Sequence, residues 1–157
     1  MPKDPQKSAR SAPETFRLAK INSHAGLVAA RAQQWVDEFT LFLDMLTTGQ
    51  GKYAQAVEIA LVNIAGEIVF ENRLKPTVSV EETAAAVHGI RSQQLLTAPV
   101  WPQTSEELQQ LMDSRTIVIF GAELDIRLLR QTTAANKDAA LWLDASDIHC
   151  AMRLAAP

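Results

Sequence analysis

The chain has 157 residues and 47% hydrophobic content, enough for one domain with a sizeable core. No apolar run approaches the roughly 20 residues of a membrane-spanning helix, and no signal-peptide core follows the start, so neither membrane insertion nor export is expected. Cys150 is the single cysteine, which rules out an intrachain disulfide and fits a reducing, cytoplasmic setting. The net charge of -3 divides unevenly: residues 1–20 carry +3 and the rest -6, so the folded part offers little excess of the basic surface that nucleic-acid binding favours.

Residues 1–13, rich in Pro, Ser, Lys and Gln, read as a disordered basic tail. Residues 14–38 form a helical segment, in which Ser23 caps a helix over 24–37 whose Leu27, Val28, Trp35 and Val36 side faces the main domain. A third region, 39–157, begins with the apolar run Phe39 to Leu43, a buried strand ending at Asp44. Residues 47–56, with Gly49 and Gly51, read as a loop. Val57 to Ile64 and Ile68 to Leu74 pair as a hairpin about Gly66-Glu67. Short helical patterns follow at 81–87 and 102–113. Thr116 to Phe120 is a compact strand that Gly121 releases into a helix over 123–134. Ala140 to Leu143 suggests a last short strand, and Ala145 to Met152 a last helix. The order predicts a mixed sheet with helices on both faces. No phosphate-binding glycine loop and no zinc-ligand cluster is present, and His24, His88 and His149 are scattered.

Four segments carry more. Asp44-Met45-Leu46-Thr47-Thr48-Gly49 places positions 44 and 46 on one strand face, where two carboxylates would share a cation; a leucine at 46 offers no lone pair. The others are the strand pair followed by Lys75-Pro76, then His88-Gly89-Ile90 with Ala98-Pro99, then Ile119-Phe120-Gly121-Ala122-Glu123-Leu124-Asp125. In order and spacing these resemble the proofreading-type 3'–5' exonucleases of the ribonuclease H-like superfamily, over residues 39–157.

That resemblance implies an α/β fold of the ribonuclease H-like kind, short at its C-terminus, and a site of four carboxylates holding two divalent ions beside a general-base histidine. Asp44 takes the first acidic position and Asp125 a later one. Leu46 stands at a glutamate position, Gly121 at an amide position and Leu124 at an aromatic one. The closing histidine–aspartate pair has no counterpart before Pro157, and neither His149 nor Glu58 is expected to replace the missing groups. Thr47 and His88 fall where substrate-proximal groups lie, although a hydrogen-bonded structural role is the plainer reading of His88. Asp44 also reads as a cap on backbone N–H groups, Asp125 as an acid favoured in a helix's first turn. Trp35, Trp101 and Trp142 read as packing anchors and Cys150 as a small buried hydrophobe.

The expectation is a catalytically inactive or strongly impaired exonuclease-like domain that binds single-stranded nucleic acid or a protein. The alternative is a genuine metal-dependent exonuclease, given by a partial chain or using an atypical site. No cofactor is expected unless activity survives, in which case magnesium or manganese is. A homodimer is expected, because the missing final helix would leave apolar surface in water.

Overall fold

The computed structural model describes residues 22–37 and 39–156; the expected basic tail and the start of the helical segment lie outside them. The alternating pattern of one eight-residue strand makes the heart of the sheet intelligible. Strand β1 (Thr40–Thr47) sends Leu41, Leu43 and Met45 to one face, all buried, and Phe42, Asp44 and Leu46 to the other. It pairs antiparallel with β2 (Ala56–Asn63), which pairs antiparallel with β3 (Ile68–Arg73). On its other side β1 runs parallel to β4 (Thr116–Ile119), itself parallel to β5 (Asp147–Cys150). The five strands stand in the order β3-β2-β1-β4-β5, so β1 is central, as expected.

Leu41, Leu43, Met45, Ile59, Leu61, Phe70, Ile117 and Ile119 form one apolar sheet face. Helices α3 (Trp101–Met112), α4 (Ala122–Ala135) and α5 (Leu141–Ala145) cover it through Trp101, Leu108, Met112, Leu128, Leu129 and Leu143. Helix α1 (His24–Asp37) begins where Ser23 Oγ accepts the Gly26 N–H at 3.1 Å, the cap read from the sequence. Its apolar side is only partly used. Trp35 is buried with its ring 6.0 Å from that of His149, whereas Leu27 and Val36 remain 60% and 48% exposed, so they do not serve as the cover expected of them.

Three further boundaries differ from expectation. β1 does not end at Asp44: its ladder with β2 continues to Thr47, because the polar Thr47 still has Ala56 to pair with. Residues 141–145 are helical rather than extended, and 147–150 are a strand rather than a helix. Short segments are decided by partners distant in sequence. Here the pairs Thr116↔Asp147 to Ile119↔Cys150 supply the ladder, and Thr116 Oγ1 donates to Asp147 Oδ2 at 2.9 Å. The last element, α6 (Ala151–Ala155), docks its start on β4 through the Met152 N–H, 3.0 Å from the Phe120 carbonyl.

Candidate active site

The site lies where parallel β1 and β4 part company. β4 pairs with β1 only from Thr40 to Leu43, so Asp44 is the first residue of β1 with no partner on that side. β4 ends at Ile119 and the chain turns through Phe120 and Gly121 into α4, with Asp125 in its first turn. A crevice beyond the carboxyl ends of parallel strands is where ligands bind in open α/β sheets. Asp44 is exposed and Asp125 half-buried.

The Asp125 carboxyl feels the Asp44 charge. Burial, and then the negative charge of Asp44, push the Asp125 carboxyl from an ordinary 3.8 up to about 6. A cation between them would relieve that repulsion. Two aspartates would offer two oxygen ligands to a divalent ion, leaving the rest of its shell to water and phosphate oxygens, as magnesium accepts. Among the described residues no third His, Cys, Asp or Glu joins them in a group that could hold a metal ion.

Leu46 shares the Asp44 face but belongs to an apolar cluster with Val57, Ile90 and Leu95, joined by Val80 and Ala98. The position is therefore part of the packing. Glu58 stands directly across from Leu46 on β2, closer than the intervening loop suggested. Its Oε2 lies 2.9 Å from Arg73 Nε, which already neutralises it. His149 sits on β5 with Nε2 3.0 Å from Asp147 Oδ1, two strands away from β1.

Thr47 and His88 are brought together. The backbone N–H of Ile90 donates to His88 Nδ1 at 3.1 Å, so Nδ1 is unprotonated and Nε2–H donates to the Thr47 carbonyl at 2.9 Å. Both ring nitrogens are thereby engaged, and His88 acts as a strut between β1 and α2 (Glu82–His88). Gly89 makes this possible: at φ 76 it closes α2 in a left-handed turn that returns Ile90 to the ring. Thr47 Oγ1 donates to the Gly49 carbonyl at 2.7 Å. Beside them runs a groove of about 480 Å³, lined by Leu46 and Thr47 of β1, by Thr83, Val87 and His88 of α2, and by Glu81. A Cβ at Gly49 would meet the carboxyl end of the exposed Glu81 side chain, which would have to swing aside.

Cys150 is half-buried at the same end. Burial raises its thiol, but backbone N–H groups of Arg153, Ala122 and Met152 and the Arg153 charge outweigh this and lower it. The tryptophans act as packing groups: Trp101 is buried, with Nε1 3.5 Å from Asp138 Oδ2. The β1–β2 loop is clamped from α4, a contact that no local pattern marks. Arg127 Nη2 donates to the Gln50 carbonyl at 3.2 Å and Gln131 Nε2 to those of Gly51 and Ala54 at 3.0 and 2.8 Å.

Comparison with known proteins places this geometry. An exonuclease named CP81, from Escherichia phage 186, is 35% identical over 105 residues, covering 67% of this chain and 54% of its own length. The Salmonella typhimurium protein pSLT049 is 43% identical over 91 residues, covering 53% of this chain and 66% of its own. The chain thus spans about half to two thirds of the relatives it matches. Exonuclease I of E. coli, solved with a dT13 oligonucleotide, shares the fold at a TM-score of 0.59 and 16% identity, over 72% of this chain and 27% of its own. Residues 41–156 match the RNase T family, described as exonucleases, and the chain belongs to that family.

Proposed function

We propose that the chain acts on 3' ends of nucleic acid as a metal-dependent exonuclease with an atypical site, in which Asp44 and Asp125 hold a single magnesium or manganese ion. The convergence of these two carboxylates beyond the ends of β1 and β4, close enough for one to raise the other's pKa, carries this reading. Such an ion supplies charge stabilisation for a phosphodiester under attack. The chain's own residues do the rest. Asp44, exposed, would hold the ion where an incoming phosphate can reach it, while Asp125 stays protonated below about pH 6 and becomes a full anion above it. The His88–Thr47 strut fixes the groove wall beside them.

A second reading is a binding module with strongly impaired chemistry, and Leu46 favours it. A side chain packed with Val57, Ile90 and Leu95 supplies neither a ligand nor a charge. The two readings separate in one assay. Pure protein is incubated with 5'-labelled single-stranded DNA or RNA and manganese, in parallel with Asp44→Asn. Nucleotide release from the 3' end, lost in the variant, supports the exonuclease. Binding without release supports the module. Release that persists in Asp44→Asn contradicts both.

A further inference from the structure

The loop between β1 and β2, residues 48–55, is unusually well held for a surface connection. Thr48 N–H donates to the Gln55 carbonyl at 2.8 Å, and Gln55 N–H returns a bond to Thr48 Oγ1 at 3.0 Å. Ala54 N–H closes a turn on the Gly51 carbonyl at 3.1 Å. Arg127 and Gln131 of α4 then clamp three of the loop's carbonyls from outside. Thr48, Ala54 and Gln55 are buried, yet Tyr53 between them is 69% exposed. Its ring carries the Lys52 ammonium 4.7 Å from its centre. Neither Lys52 nor Arg127 forms an ion pair with a carboxylate among the described residues.

The exposed Tyr53 ring, with Lys52 against it, stands on a pre-ordered loop whose Gln50 carbonyl is held by Arg127. That loop leaves the carboxyl end of β1, the end at which β4 also stops, and among the described residues neither cation pairs with an acid. Because the loop is fixed before a ligand arrives, binding there costs little ordering entropy. Aromatic faces and cations are the two elements of sequence-tolerant single-strand binding. An ammonium on one ring face both anchors the ring and provides a charge for phosphate.

We propose that Tyr53, with Lys52 and Arg127, is a stacking platform that guides single-stranded nucleic acid toward the Asp44–Asp125 site. A base stacks on the ring and the backbone passes the Lys52 ammonium. The platform reads base face and phosphate, not the sugar, so DNA and RNA strands bind it alike. This rests on the reading of the neighbouring site as one for nucleic acid.

Fluorescence anisotropy with labelled dT12 and rU12, in EDTA so that nothing is cleaved, tests it. Tyr53→Ala should weaken binding of both strands about tenfold, and Tyr53→Phe should restore it, since the ring and not the hydroxyl is used. Lys52→Ala should reduce the slope of log affinity against log salt by about 0.7, the value of one phosphate contact on a single strand. Tyr53 and Lys52 are exposed, so thermal unfolding should be unchanged in all three variants. A Tyr53→Ala protein within twofold of the parent, or a Tyr53→Phe protein as weak as Tyr53→Ala, overturns the platform while leaving the carboxylate site standing. A parent protein that binds neither strand overturns the platform, and the carboxylate site, whose metal EDTA removes, is judged by the manganese assay. If binding depends on Tyr53 but manganese does not bind at Asp44, the platform stands and the site reading falls.

Discussion

The two faces of β1 do different work. Leu41, Leu43 and Met45 are at most 8% exposed and meet α3, α4 and their neighbours in the main core. Phe42, Asp44 and Leu46, one residue out of step, look onto the other face, and there the chain tolerates an exposed carboxylate whose charge reaches Asp125. One strand thus joins a wholly buried apolar face to one that mixes packing at Leu46 with an exposed charge at Asp44. The lesson is that alternation alone divides stability from chemistry, so substitutions two residues apart should resemble each other more than substitutions one residue apart.

The largest expected effect lies on the core face. Leu43→Ala should destabilise the protein by about 2–5 kcal/mol in urea unfolding, since deleting a packed side chain loses transfer free energy and leaves a cavity. A loss below about 1 kcal/mol would mean that the core is not closed where β1 meets α4.

Leu46→Glu comes next and blurs the division. It sets a carboxylate among Val57, Ile90 and Leu95, which should cost about 1–3 kcal/mol, while adding a third acid on the Asp44 face. The variant should be less stable without metal and regain stability as manganese is added. Unaltered manganese affinity would show that position 46 does not reach the site.

Asp125→Asn has the smallest effect and the most specific signature. The folded state holds the Asp125 proton up to about pH 6, whereas the ordinary value is 3.8. Between those values the folded chain binds more protons than the unfolded chain, so stability falls as pH rises through that window. The asparagine variant should therefore match the parent near pH 3.5 and melt higher than it at about pH 7–8. Added manganese should narrow the gap by stabilising the parent. Parallel melting curves across the range would show that the two carboxylates do not share a pocket.

Much of the sheet was legible because its strands are apolar runs with clear turns, and β2, β3 and β4 lie within a residue or so of expectation. The end of the chain was not. Asp-Ile-His-Cys at 147–150 has no strong strand pattern and becomes β5 only because β4 offers a parallel edge. Conversely, Leu141 to Ala145 looks as apolar as a strand but folds as a turn of helix that carries Leu143 into the core. At the site, the pairing of Asp44 with Asp125 came from resemblance, and the structure adds the electrostatic coupling that no spacing reveals. The clamped loop was invisible for a simpler reason. Arg127 and Gln131 lie 77 and 80 residues from the Gln50 and Gly51 carbonyls they hold, and nothing local marks them.

The central claim is that Asp44 and Asp125 form a site for one divalent ion. Counting bound manganese by electron paramagnetic resonance, in parent and Asp44→Asn proteins at about pH 7.5, tests it most directly. One ion per chain in the parent and none in the variant is the predicted result. Two ions per chain, or one ion that survives in Asp44→Asn, would contradict it.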